Sequence, residues 1–381
     1  MLLLIATDAN LLLTMPQHYS QLTAMMAIVK ASLKAQLKSP SALVFGFIFP
    51  LFFILIFGSG NINMPQSVLR FTPTSDTTNF FYKLIDTSKF YDDVKVSTNL
   101  TESENSLIKG RTSAIIDLQK STTAPNSFTV KIIPSKVTES NVGFIKLMFD
   151  ATFFNIQKYT PAPYTPKYDV TIAPAIGERK FKQIDKVLPG QLGFSLLSAG
   201  LFGVSFLFFN LRETLVLKRL NATPIKRPFI IFGEALARVL FQLIIVTAIV
   251  LIGKFAFGYT LVNGLVTFGN LLILSFLGLV VFMGFGFVIS GAAKSINTVP
   301  VYTNLLGFPQ FMLSGTFFPY QNLPSFLQPI CKSLPLTHLN DAMRKVSFEG
   351  LGLGSCLTEI SVLCLWIVVV YTIAFKIFKW E

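Results

Sequence analysis

Long, nearly uncharged apolar runs alternate with short basic segments along this chain, and that alternation limits the folds open to it. A helix needs about 20 apolar residues to cross a bilayer. Six stretches qualify, roughly Ser41–Ser59, Leu188–Phe209, Phe232–Phe255, Leu265–Ser290, Val299–Phe317 and Leu357–Phe378. In hydrocarbon every backbone N–H and C=O must be satisfied internally, so such runs must be helices. Composition agrees: 13% of the residues are charged and 52% are hydrophobic, whereas soluble domains carry about one quarter charged residues. The expected fold class is an α-helical membrane protein with six transmembrane helices.

Orientation follows the Lys and Arg of the short connections. Lys30, Lys34 and Lys38 precede the first run, and Lys376 and Lys379 end the last. Between the second and third runs lies NLRETLVLKRLNATPIKRP, residues 210–228, with Arg212, Lys218, Arg219, Lys226 and Arg227 against the single acid Glu213. All of these fall on one side if both termini are cytoplasmic. The net charge of +13 is thereby explained by topology, and no nucleic-acid partner is expected. The membrane is expected to be a bacterial plasma (inner) membrane.

Residues 60–187 then lie outside, long enough for a domain with its own core. DVKVST, RTSAIIDL and SFTVKIIP read as strands by β-branched alternation. Val137–Tyr159 reads as a helix with Phe144, Leu147, Met148 and Ile156 near helical spacing. The proline-rich YTPAPYTPKYDVTIAP reads as an extended linker. A mixed α/β extracytoplasmic domain between helices 1 and 2 is expected.

Residues 26–40 read as an interfacial amphipathic helix: Lys30, Lys34 and Lys38 form one stripe beside Val29, Leu33 and Leu37, where lysines can meet anionic membrane lipid. Span 1 occupies 41–59. Residues 1–25 lack the basic start of a signal peptide and read as an extension of unassigned role, with Met25 or Met26 as the start.

Chemistry-bearing patterns are few. GFVISGAAKS, Gly286 to Ser295, places Lys294 two residues late for a phosphate loop, and Gly278, Gly284, Gly286 and Gly291 read instead as helix-packing positions. Cys331, Cys356 and Cys364 show no metal spacing, and His18 and His338 stand alone. No catalytic, cofactor-binding or metal-binding residues are expected. Glu234 and Arg238, i and i+4 at the start of the third run, read as a pair.

Leu313 to Gly350 is apolar yet broken by Pro319, Pro324, Pro329 and Pro335. These prolines forbid one straight helix, and the stretch is too apolar for a solvated loop. It reads as a re-entrant helical segment between helices 5 and 6, at 317–350, made of two short helices dipping into the outer leaflet.

This region resembles the signature of type-2 ABC exporter permeases, approximately G-x-F-F-P, L-P, P-L, D-A-x-R and G. Gly315, Phe317, Phe318 and Pro319 match its start. Leu323 and Pro324, then Pro335 and Leu336, match its middle. Asp341, Ala342 and Arg344, then Gly350, complete it. Residues 210–228 are similar to the family's cytoplasmic loop, approximately R-E-x-G-T-L-x-R-L-x-A-T-P. The matches there are Arg212, Glu213, Leu217, Arg219, Leu220, Ala222, Thr223 and Pro224, with Leu215 and Val216 where the family has Gly-Thr. The resemblance covers about Met26 to the C-terminus.

The resemblance implies a permease core over 188–381. Its loop 210–228 would carry a coupling helix docking on a separate cytoplasmic ABC ATPase subunit, which would hold the ATP and Mg. A second copy of the chain would complete a twelve-span homodimer. The segment Gly315 to Arg344 would help close the outer end of the path, and the outer domain would shape cargo release or contact other envelope proteins. The function implied is export from the cytoplasm by a subunit that is not itself an enzyme. Two alternatives stay open: a secondary transporter or channel, which needs coupling charges or a pore lining, and a receptor with an outer sensor, which needs an output module.

Overall fold

The computed structural model describes residues 20–58, 68–87, 91, 93–108, 110–121, 127–136, 138–159, 166–177, 182–214, 225–317, 320, 323–324 and 326–377. Helix α1, Gln21–Leu37, opens with Ser20 accepting from the Thr23 N–H at 3.3 Å. It starts five residues earlier than the expected 26–40, because this N-cap supplies an acceptor for its first turn. Lys30, Lys34 and Lys38 are exposed, while Val29 is buried. The chain turns at Ser39 into α2, Pro40–Gly58. Pro40 fits at a helix start, where its missing N–H costs nothing.

The next domain is a mixed α/β unit. Its strands are β1 Val68–Phe71, β2 Asp93–Val96, β3 Ala114–Lys120, β4 Ser127–Ile133 and β5 Lys167–Ile172. Among the described residues they form one sheet of order β2-β1-β3-β4-β5. β1 runs parallel to β2 and β3, β3 antiparallel to β4, and β4 parallel to β5, with Leu69 opposite Ala114 and Ile116 opposite Ile132. Parallel neighbours need crossovers, and α3 (Phe80–Thr87), α4 (Leu100–Ile108) and α5 (Val142–Tyr159) provide them. β5 is the segment expected as an extended linker. Its pattern KYDVTI suits an edge strand once β4 offers a hydrogen-bonding partner.

Helix α5 keeps Ile156 and Met148 of its expected face against the core and turns the rest away. Ile145, Phe149, Phe153 and Ile156 are buried, while Phe144 and Leu147 are 41% and 65% exposed. The sequence carries apolar residues on two faces, and the sheet selects one. Phe149 stands edge-on to Phe81, centroids 5.2 Å apart, within the cluster that includes Leu69, Phe71 and Ile116. Phe149→Ala should cost about 3–5 kcal/mol, confined to this domain. Hydrogen exchange of the whole chain would show faster exchange in 68–172 with the membrane helices unchanged. Uniform loosening would mean that the two units share one core.

The remaining helices are α6 Gln183–Glu213, α7 Arg227–Phe257, α8 Leu265–Ala292, α9 Thr298–Leu313, α10 Gln328–Ser333, α11 Pro335–Ser347 and α12 Leu357–Ile377. Among the described residues five helical stretches are long and apolar enough to cross a membrane, Pro40–Gly58, Gln183–Glu213, Pro228–Phe257, Leu265–Ala292 and Leu353–Ile377. The fifth expected run, Val299–Phe317, is helical only as α9. Its 16 residues rise about 24 Å, short of a hydrocarbon core of about 30 Å. The helix stops at Leu313 because side chains of α11 bind the turn at 314–316.

Helix α8 is the centre of the bundle, with its second half packed on three sides. Gly200 of α6 lies so close that an added Cβ would sit 2.5 Å from Phe282 Cβ, and one on Gly286 would sit 2.6 Å from the Gly200 carbonyl. Gly284 likewise faces Val370 of α12. Glycines here permit backbone contact that larger residues would block, as expected for Gly278, Gly284 and Gly286.

Candidate functional site

Helix α6 orders the site, because its two ends reach two clusters. At its first turn Asp185 accepts from the Thr260 N–H at 2.8 Å and lies 3.1 Å from Thr260 Oγ1. This ties the α7–α8 connection to the end that carries the α/β domain. At the same end Arg111 of the domain pairs with Glu349, Nε to Oε1 at 2.9 Å.

Five residues beyond Asp185, at Gly190, α6 meets the turn 314–316. Gly315 has φ +73°, a left-handed conformation that glycine adopts without steric cost, and it leads the chain out of α9. Backbone in such a turn has carbonyls outside any helix, and buried carbonyls need donors. Helix α11 supplies them. Asn340 Nδ2 donates to the Ser314 carbonyl at 3.2 Å and to Thr316 Oγ1 at 3.1 Å. Arg344 Nη2 donates to the Gly315 carbonyl, and its Nη1 lies 3.4 Å from Asp341 Oδ1. Ser314 and Asn340 are fully buried.

Two glycines make the close approach possible. A Cβ on Gly190 would stand 2.5 Å from the Thr316 carbonyl, and one on Gly193 would overlap Asn340 Oδ1 and Leu336. On another side of α11, Leu339 occupies the space over Gly278. Gly278 is the fourteenth of 28 residues of α8, so α11 packs against the middle of that helix. Lys345 Nζ meets Glu359 Oε1 of α12 at 2.5 Å, holding the far end of α11. Helix α10 is fixed by Trp366 Nε1, which donates to the Ser333 carbonyl at 3.1 Å.

The expected residues of this region separate into groups. Gly315 and Arg344 meet at the turn, Asp341 lies beside Arg344, and Leu336 packs over Gly193 of α6. Pro335 starts α11. Phe317 packs on Phe53 of α2 and Phe194 of α6, at 5.1 and 6.2 Å between centroids. Leu323 and Pro324 belong to a separate turn before α10, where the Leu323 carbonyl accepts from Gln328 Nε2 at 3.1 Å. Phe318 and Pro319 lie outside the described residues. Asn340, Ser314 and Thr316 were not singled out from the sequence. The available signal was a polar residue at i+4 from Leu336, on the face that also carries Arg344.

The opposite end of α6 meets α8. Arg212 Nη2 donates to the Ala293 carbonyl at 2.7 Å and its guanidinium lies 5.1 Å from the Phe209 ring centroid. Ala293 is the C-cap of α8, and a cation there complements the helix dipole. Glu213 is exposed. Leu217, Arg219, Leu220, Thr223 and Pro224 lie outside the described residues. At the far side of that segment the Lys226 N–H donates to Gln21 Oε1 of α1 at 2.9 Å. Ile230 of α7 clusters with Ala24 and Ile28 of α1. Both ends of the basic segment are thus held by packed helices.

Glu234 and Arg238 are not paired as expected. Glu234 Oε1 accepts from Ser32 of α1 at 2.6 Å, and Arg238 Nη1 donates to the Ala199 carbonyl of α6 at 3.2 Å. Each instead bonds to a neighbouring helix, while the second carboxylate oxygen of Glu234 is buried without a hydrogen-bond partner among the described residues.

Known proteins share sequence with parts of this chain. ABC transporter G family member 20 of Dictyostelium discoideum is 28% identical over 186 residues, 48% of this chain and 25% of that protein. Nodulation protein J of Rhizobium leguminosarum bv. viciae is 33% identical over 93 residues, 24% of this chain and 36% of that protein. Nodulation protein J of Neorhizobium galegae is 29% identical over 98 residues, 26% of this chain and 37% of that protein. The chain therefore spans between a quarter and just over a third of these relatives' lengths. The model of the ABC-2 type transporter family matches residues 140–348, from α5 through the turn at 314–316 to the end of α11. Permeases of this family are the transmembrane component, work with an ABC ATPase, and are not themselves the enzyme. With more than half its length matched, the chain belongs to the ABC-2 type transporter family and is a multi-pass membrane permease.

Proposed function

We propose that the chain is the membrane subunit of an ATP-driven exporter, working as a homodimer with a separate cytoplasmic ABC ATPase. One observation carries the reading: Arg212 fixes the start of the basic segment to the C-cap of α8, at the end of the bundle opposite the α/β domain. A docking segment must push on the helices it belongs to, and this one begins on a rigid junction of two. The charge pattern supports that end lying in the cytoplasm with both termini, and the α/β domain outside. Helix α9 together with the turn at 314–317 serves as the sixth crossing. Helices α10 and α11 are the re-entrant segment, since Leu339 reaches the middle of α8 and irregular backbone at that depth must be buried in protein.

Single cysteines at Thr214 and Lys95, in a chain with Cys331, Cys356 and Cys364 changed to serine, test the orientation. In intact cells a membrane-impermeant maleimide should label Lys95→Cys and spare Thr214→Cys, and permeabilisation should expose the second. The reverse pattern would place the basic segment outside and remove it from any cytoplasmic ATPase.

A further inference from the structure

Three polar residues stand one turn apart on α7, at Glu234, Arg238 and Gln242. Glu234 is bound by α1, and Arg238 and Gln242 are bound by α6. Glu234 takes the Ser32 hydroxyl of α1 at 2.6 Å, and Arg238 reaches the Ala199 carbonyl at 3.2 Å. Gln242 Nε2 donates to Ser195 Oγ at 2.7 Å, and Ser195 in turn donates to the Gly46 carbonyl of α2 at 2.5 Å. Arg238 is 9% exposed and Gln242 1%.

The two carbonyls share a property. Gly46 lies in a π-helical stretch of α2, Val44–Ile48, and Ala199 in a π-helical stretch of α6, Ser198–Gly203. A π turn holds one residue more than an α turn, leaves carbonyls off the regular ladder, and recurs at functional positions. Within a membrane those carbonyls must find donors, and here α7 supplies one directly and one through Ser195. Glycine makes room: a Cβ on Gly203 would overlap the Arg238 guanidinium.

The π stretch of α6 separates two parts of that helix with different contacts. Its first part, Gln183–Leu197, carries Gly190 and Gly193, which pack on the turn 314–316 and on Asn340. Its last part, Val204–Glu213, ends at Arg212 on the α8 cap, and Ser205 Oγ lies 3.3 Å from the Gly286 carbonyl. Each part is anchored, and the π stretch lies between the anchors. Return of a π turn to α geometry displaces the remainder of the helix by about one residue, about 1.5 Å of rise and 100° of rotation.

We propose that Arg238 and Gln242 are positioning residues of the transport cycle, holding π-helical hinges of α6 and α2 so that the end of α6 bearing the basic segment can move relative to the turn at 314–316. The functional half of this rests on the reading that the basic segment receives the ATPase.

Hydrogen exchange of the full chain in lipid nanodiscs tests the hinge without requiring transport. Arg238→Met should speed exchange in 198–205 about tenfold, the loss of one hydrogen bond from a charged donor, and leave 183–190 nearly unchanged. Arg238→Lys should restore most of the protection. Gln242→Leu should act on 44–48 instead. Gly203→Ala displaces the guanidinium without removing it, and should reproduce the Arg238→Met pattern even if that variant folds poorly. Acceleration spread evenly over α6, or none, would overturn the hinge. With the ATPase added, nucleotide should alter exchange at 314–316 in the natural chain and not in Arg238→Met. If the natural chain retains no ATPase, the coupling reading fails while the hinge stands. If both chains retain it and respond equally to nucleotide, the positioning role fails.

Discussion

Asn340→Asp is expected to remove most of the folded protein, while the neighbouring exchange Asp341→Asn is expected to be mild. The two changes are chemical mirror images, one residue apart on α11, and neither alters side-chain volume appreciably. Asn340 is fully buried, and its Nδ2 donates to the Ser314 carbonyl and Thr316 Oγ1. An aspartate there has no donor when ionised, faces two oxygens, and is pressed against Gly193. The lost hydrogen bonds leave acceptors unsatisfied at about 1–3 kcal/mol each, and a buried unpaired carboxylate adds several more. The sum is comparable with the whole stability of a domain, about 5–15 kcal/mol. Asp341 is 29% exposed, and its hydrogen bond with Arg344 is long, at 3.4 Å, so losing it costs about 1 kcal/mol. Thermal unfolding of the detergent-solubilised chains measures both. Equal shifts would mean that Asn340 does not hold the turn, and that α9 ends at Leu313 for another reason.

The membrane helices were legible from sequence because 20 apolar residues leave little alternative in length or identity. The exception shows what sets the limit. Val299–Phe317 is apolar enough to cross, yet the helix ends at Leu313, because Asn340 and Arg344, more than twenty residues further on, supply donors for a turn. Hydropathy sums local residues and does not register a donor from elsewhere. The α/β domain was harder to read for a related reason. On α5 two faces carry apolar side chains, and only the sheet decides that Phe149 goes in and Leu147 stays out. KYDVTI resembled a linker until β4 lay beside it. Charge placement was partly legible: Arg212 and Glu234 were marked as meaningful, but their partners, the Ala293 carbonyl and Ser32, sit on other helices. Gly315, Asp341 and Arg344 were found through a family pattern, whereas Asn340, buried at the centre of the same contact, lies outside that pattern's fixed positions.

The second large effect is expected in the basic segment, where assembly can be separated from folding. Leu217→Asp combined with Arg219→Glu should leave a permease that inserts and unfolds at its usual temperature but no longer retains the ATPase. Both positions lie between Arg212, fixed on the α8 cap, and Lys226, fixed on Gln21. These anchors use groups that the double change does not touch, so the ends of the segment stay in place. On a solvated loop a charge reversal costs less than about 1 kcal/mol. At a docked interface the same change buries an unpaired carboxylate where Leu217 packed and sets a second acid against the ATPase's acidic groups, together several kcal/mol. Each 1.4 kcal/mol is a tenfold change in affinity, so a complex of nanomolar affinity would weaken to micromolar or beyond and be lost on an affinity column. Export should stop in parallel, since hydrolysis would no longer reach the helices. A double variant that still co-purifies with stoichiometric ATPase and still transports would show that the basic segment only orients the chain in the membrane, and that the thrust of the ATPase enters elsewhere.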